Sequence, residues 1–241
     1  MSLATWNDFI RIIESNPRIA QTYETLLSSL RFAEKNTPSA SPLKSLMVCS
    51  AQPGEGKTTV SVGLALTMAL GGQRVLLVDA DTRKPKLQEI FELSDKRGFT
   101  DVLVEESKVE LRDVVQRVAL QRGQALDIIS SGSRLTGHPN LMASSRLETF
   151  VAAACKEYEV VLFDSPPVLA VSDPCFLAPL VAGVIFVVGS GTVQERDARL
   201  AKDRIQKAGG RLLGFVMNRF DDTRDGPGYH PYEGYYDNSK A

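Results

Sequence analysis

Apolar positions along the chain follow two rhythms. Six short runs, 46–49, 75–78, 126–129, 160–163, 184–188 and 212–217, are apolar almost without interruption. A strand with one wet face alternates, so these runs predict strands buried on both faces of a parallel sheet. Between them lie segments of helical period at about 57–70, 85–91, 140–156 and 194–208. Strand–helix alternation predicts an α/β fold of three layers, with a mostly parallel central sheet flanked by helices. Upstream, 17–35 predicts a helix, with Pro17 in its first turn and Ile19, Tyr23, Leu26, Leu27 and Leu30 on one stripe. Trp6, Phe9, Ile10 and Ile13 also have helix-like spacing, and 36–42 reads as a Pro/Ser/Thr linker. The expected organisation is an N-terminal helical segment and linker (1–42), the alternating domain (43–220) and a Gly/Tyr/Asp-rich tail (221–241), with one globular domain overall.

Composition narrows the classes. Lys and Arg total 28 against 29 Asp and Glu, a formal net charge of −1, which argues against a dedicated nucleic-acid binder. Cys49, Cys155 and Cys175 sit in or beside apolar runs, as reduced thiols would, and their odd number does not suit a disulfide framework. The longest apolar stretch, 177–188, is broken by Pro179 and falls short of the ~20 residues that span a bilayer. No signal-peptide pattern opens the chain, and a cytoplasmic location is expected. Four of the six tyrosines, Tyr229, Tyr232, Tyr235 and Tyr236, fall in the last 13 residues.

In parallel sheets, ligands bind beyond the carboxyl ends of the strands. After the first run comes Ser50-Ala51-Gln52-Pro53-Gly54-Glu55-Gly56-Lys57-Thr58-Thr59, then an apolar helical segment. This is a phosphate-loop pattern, with Ala51 where the first Gly would stand. Gly54 and Gly56 let backbone N–H groups turn inward, and those groups with the helix N-terminus attract phosphate oxygens. Lys57 would reach the β- and γ-phosphates and the Thr58 hydroxyl would hold Mg²⁺.

The second run leads into Asp79-Ala80-Asp81-Thr82-Arg83-Lys84-Pro85. Two Asp at i and i+2 after a buried strand emerge together near its tip, where a buried carboxylate needs a cation or a proton to handle; a helix-cap cluster is the alternative. The fourth run ends in Asp164-Ser165-Pro166-Pro167, the position of the second Mg²⁺-supporting element of phosphate-loop enzymes, or of a turn-forming Asp before Pro. Asp173 reads as a helix cap. Asn218 reads equally as a turn residue and as a base-edge hydrogen-bonding group.

These segments resemble the three Walker-type motifs of bacterial tyrosine kinases, which act in capsule and exopolysaccharide production. The resemblance continues through 98–103, 168–180 and 214–219, and runs from about residue 17 to the C-terminus. It implies a P-loop NTPase fold and an ATP- and Mg²⁺-dependent protein-tyrosine autokinase. Pro53, Gly54, Glu55, Gly56, Lys57, Thr58 and Thr59 would bind ATP phosphates, and Asn218 would contact adenine. Thr58, Asp81 and Asp164 would hold the metal, and Lys57, Asp79, Asp81 and Asp164 would form the catalytic set, with Asp79 orienting or deprotonating the acceptor hydroxyl. Tyr229, Tyr232, Tyr235 and Tyr236 would be the phosphoacceptors, entering a neighbour's site. The implied partners are a transmembrane activator of polysaccharide assembly, which would bring the chain to the inner face of the membrane, and a cognate tyrosine phosphatase.

Two positions depart from the family pattern. Where the first helix commonly carries Glu-x-x-Arg-x-x-Arg for ring assembly, this chain has Gln21, Glu24 and Leu27. Self-association is therefore implied without a ring built by that route. Gln52 stands where the related partitioning and septum-positioning ATPases carry a second lysine, which favours the kinase branch. The competing readings are a dimeric ATPase switch of that partitioning type and a non-catalytic nucleotide-binding scaffold for a polysaccharide assembly complex.

Overall fold

The computed structural model describes residues 5–35, 42–94, 97–104, 108–133 and 141–220. Two helices lead into the sheet. α1 (Trp6–Ser15) starts with a capping box in which the Asp8 carboxylate accepts from Thr5 N–H and Thr5 Oγ1–H. α2 (Pro17–Lys35) follows at once, with Asn16 Oδ1 accepting from Arg18 and Ile19 N–H and Pro17 in the first turn.

The sheet has seven strands in the order β3-β4-β2-β5-β1-β6-β7. They are β1 (Ser45–Ser50), β2 (Val75–Asp79), β3 (Gln116–Ala119), β4 (Ala125–Ile129), β5 (Val160–Asp164), β6 (Gly183–Gly189) and β7 (Leu212–Asn218). All neighbours are parallel except the β3–β4 pair. Six strands coincide with the apolar runs of the sequence, with ends shifted by a residue or two.

The continuous apolar runs have a simple cause. Met47 and Cys49 of β1, Leu76 and Val78 of β2, and Val161 and Phe163 of β5 face one core, while Leu46 and Val48, Val75 and Leu77, and Val160 and Leu162 face a second core on the other side. Helices α1, α2 and α3 (Lys57–Leu70), with the short α4 (Leu87–Ile90), cover the second core. Helices α5 (Phe99–Leu103), α6 (Ser145–Glu157), α7 (Asp173–Leu177) and α8 (Glu195–Lys207) cover the first. In that first core Phe99, Phe150 and Phe163 form an edge-to-face cluster with centroids 5.0–6.3 Å apart.

The differences from the sequence reading have local reasons. β3 was not expected: it is a four-residue antiparallel edge with alternating exposure, pinned by a bidentate Arg117–Asp127 pair at 2.7 and 2.8 Å. The helix expected over 140–156 starts at Ser145, after a 3₁₀ turn at Leu141–Ala143. The one expected over 85–91 shrinks to a single turn. Cys49 is buried, and Cys155 and Cys175 are half-buried free thiols. Among the described residues no helix is long and apolar enough to cross a membrane. Tyr229, Tyr232, Tyr235 and Tyr236 lie outside the described residues.

Candidate functional site

The phosphate-loop segment connects β1 to α3 at the carboxyl end of the sheet. Gly54 and Gly56 have φ of 85° and 95°, the left-handed region open to glycine. Lys57 is the first residue of α3, so the loop delivers its backbone N–H groups at a helix N-terminus. Asn218, the last residue of β7, donates from Nδ2 to the Glu55 carbonyl at 2.9 Å. It thus braces the loop backbone, a role that neither sequence reading of Asn218 included.

Parallel register brings the carboxylates together. Asp79 and Asp164 are paired residues at the ends of β2 and β5, and Val48 of β1 is the other partner of Asp164. Both carboxylates are buried, as is Asp81. Lys57 Nζ lies 3.3 Å from Asp81 Oδ2, with both side chains nearly buried. The Ser61 hydroxyl shares its proton between the Lys57 carbonyl at 2.9 Å and Asp164 Oδ1 at 3.1 Å, and the Thr58 hydroxyl also bonds to this carboxylate. Burial pushes Asp164 up to about 6, against the opposing pull of the Lys57 ammonium and the two hydroxyls.

Asp79 sits in a tighter cage. Its Oδ2 accepts from Lys86 and Leu87 N–H, both at 2.9 Å, and its Oδ1 from Asp81 N–H at 3.3 Å. Burial, and then the neighbouring Asp164 carboxylate, push it up to about 8, outweighing those N–H donors. The site therefore holds three carboxyl groups around one lysine, a charge arrangement that favours additional cation or proton.

The side chains of the predicted set converge only in part. Lys57, Thr58, Asp79, Asp81 and Asp164 converge. Pro53 and Gly54 are exposed at the loop tip, the Thr59 carbonyl accepts the Tyr23 hydroxyl of α2 at 3.2 Å, and the Glu55 side chain turns away into the fold. Asp173 opens α7 behind the N-cap Ser172 and lies 4.0 Å from Arg83 Nε. Ser61 was missed. Its signal is a hydroxyl one turn after Lys57 in a helix that is otherwise apolar at its buried positions.

The comparisons with known proteins bear on the fold and the family. The AAA domain family profile matches residues 43–182. The chain is 34% identical over 209 residues to the tyrosine-protein kinase YwqD of Bacillus subtilis (strain 168), covering 87% of this chain and 84% of YwqD. The kinase domain of the Escherichia coli tyrosine kinase ETK superposes with a TM-score of 0.73 at 30% identity, over 83% of this chain and 77% of that one. The septum site-determining protein MinD of Pyrococcus horikoshii OT3 shares the fold alone, with a TM-score of 0.60 at 21% identity over 76% of this chain and 73% of that one. With an AAA domain matched over more than half its length and a tyrosine-protein kinase relative covered over 84% of that protein, the chain belongs to the bacterial tyrosine-protein kinase family.

Proposed function

We propose that this protein is an ATP-dependent protein-tyrosine autokinase that regulates capsular or extracellular polysaccharide synthesis and phosphorylates its own C-terminal tyrosine cluster in trans. The observation that carries the reading is the convergence of a phosphate loop, Lys57 and the buried Asp79, Asp81 and Asp164 at the carboxyl ends of three adjacent strands.

The chain's own groups suit each part of phosphoryl transfer. The N–H groups of 54–59 and the α3 N-terminus would hold the ATP phosphates. Lys57 would exchange the Asp81 carboxylate for phosphate oxygens. The donor set of Thr58, Asp81 and Asp164 is all hard oxygen, which fits Mg²⁺ bound partly by protein and partly by phosphate. When bound, that ion would neutralise charge on the phosphates. Asp79 is held in one orientation by three N–H donors, two of which fill Oδ2, and the spare lone pair on Oδ1 would receive the acceptor tyrosine. The tyrosine hydroxyl proton would pass to the Asp79 carboxylate as the phenolic oxygen attacks the γ-phosphorus and ADP leaves. Asp79 needs its charge for this, and added positive charge on the phosphate side would favour that charged form.

Tyr229, Tyr232, Tyr235 and Tyr236 would be the acceptors. Each phosphate would add ~1.5 to 2 negative charges, so a modified tail would repel its neighbours and loosen self-association. A transmembrane activator would recruit the chain to the inner face of the membrane, and a tyrosine phosphatase would reset it. Incubation with labelled ATP and Mg²⁺, followed by phosphosite mapping, tests the reading. Phosphotyrosine in 229–236 is expected. Label on Ser or Thr alone, or none with the activator present, overturns it, and sustained phosphate release without phosphotyrosine would point instead to an ATPase switch.

A further inference from the structure

We propose that Glu55 is a positioning residue of the phosphate loop: its buried carboxylate ties the loop to the end of β6 while its carbonyl ties it to β7, setting the loop's shape before nucleotide arrives. The proposal rests on the phosphate-binding reading of 53–59 and deepens it. A carboxylate inside a loop that receives phosphate is electrostatically misplaced if it faces the ligand. Glu55 instead points into the fold and is 1% exposed.

Its hydrogen bonds account for that burial. Oε1 accepts the Gln52 N–H at 2.6 Å, closing the loop on itself. Oε2 accepts the Gly189 N–H at 3.0 Å, at the last residue of β6. The Glu55 carbonyl accepts Asn218 Nδ2–H at 2.9 Å, at the last residue of β7. One residue therefore joins the loop to itself and to two strands more than a hundred positions away in sequence. Gln52 adds a further strut, donating from Nε2 to Asp197 Oδ2 in the first turn of α8 at 2.7 Å. The carboxyl group accepts a backbone N–H on each of its oxygens, so its loss would free both ties together.

A brace of this kind acts by preorganisation. When it is lost, the cost of ordering the loop comes out of the binding free energy, equally in the ground and transition states. Nucleotide affinity then falls while turnover at saturation holds. A carboxylate acting at the reacting atoms would instead lower kcat.

The test is Glu55→Gln in the full chain, which keeps the size but sets an NH₂ group against a backbone N–H donor. MgADP binding by calorimetry is expected to weaken by about tenfold or more, with kcat at saturating ATP within about threefold of wild type. The thermal midpoint should fall by no more than about 12 °C, the cost of one buried donor left unpaired in a chain of this size, and the Gly189 amide should exchange faster. Unchanged MgADP affinity overturns the proposal. So does tighter binding, which would mean that the carboxylate faces the phosphates, or a lower kcat at constant KM. If Glu55→Gln does not fold, Asn218→Ala removes the β7 tie and is read with magnesium pyrophosphate, which has no adenine for Asn218 to touch: several-fold weaker binding is expected, and unchanged affinity overturns the proposal. Calorimetry requires no phosphotransfer, so a chain that binds MgADP but makes no phosphotyrosine contradicts the kinase reading and leaves this test intact.

Discussion

Replacing Asp79 with Asn should make the protein more stable at neutral and alkaline pH while abolishing transfer. The folded Asp79 carboxyl is pushed from 3.8 up to about 8 by burial and by Asp164. The unfolded chain therefore loses this proton first as pH rises. Between roughly pH 4 and pH 8 wild-type stability falls by up to ~1.4 kcal/mol per pH unit from this group alone. The ceiling over that window is roughly 6 kcal/mol, and about half of it is expected because the fold relaxes around a buried charge. Asn removes the titration. Its oxygen can keep the bonds from Lys86 and Leu87 N–H at 2.9 Å, and only the longest, from Asp81 N–H at 3.3 Å, is lost. Thermal unfolding without nucleotide and with EDTA should show Asp79→Asn melting about 5 °C or more above wild type at pH 8.5, the gap closing towards pH 4.5. Parallel curves across that range, or a variant less stable at every pH, would refute the electrostatic account of the site.

Three further changes probe different links. Lys57→Met removes the cation that faces Asp81 at 3.3 Å; transfer should drop by at least about 10³-fold in a radiolabel assay, as expected when a phosphate clamp is lost. Gly56→Ala places a Cβ 1.8 Å from Asn218 Nδ2 at a φ of 95°, so MgADP affinity measured by calorimetry should fall about tenfold or more, from ~1–2 kcal/mol of left-handed strain and the displaced brace. Phe163→Ala opens the Phe99–Phe150–Phe163 cluster and should cost about 3–5 kcal/mol in urea unfolding; a loss below ~1 kcal/mol would mean that the core collapses into the gap.

The sequence predicted what strong, contiguous signals encode. Runs such as 160–163 must be strands because both faces meet apolar cores, and the 57–70 helix begins at Lys57 because the glycines of the loop cannot continue it. The convergence of Lys57, Asp81 and Asp164 followed from strand ends lying side by side. β3 was hidden because an exposed edge strand needs no apolar run, and its anchor, the Arg117–Asp127 pair, is a contact between strands. The orientations of Glu55 and Asn218 were hidden for the same reason. Both are polar residues whose partners, Gly189 and the loop carbonyl, come from distant sequence, and no local pattern encodes that meeting. Ser61 gave only a partial signal: the Lys57 carbonyl one turn back already accepts its hydroxyl at 2.9 Å, and its reach to Asp164 is a contact between elements.

In the proposed reaction the carboxylate-and-lysine site transfers phosphate from ATP to tyrosine in the C-terminal tail. Mass-spectrometric phosphosite mapping of wild type beside Lys57→Met, after incubation with ATP, Mg²⁺ and the proposed membrane activator, reads this transfer out. Wild type should carry phosphotyrosine at Tyr229, Tyr232, Tyr235 or Tyr236, and Lys57→Met none. Equal tyrosine phosphorylation in both chains, or none in wild type, would contradict it.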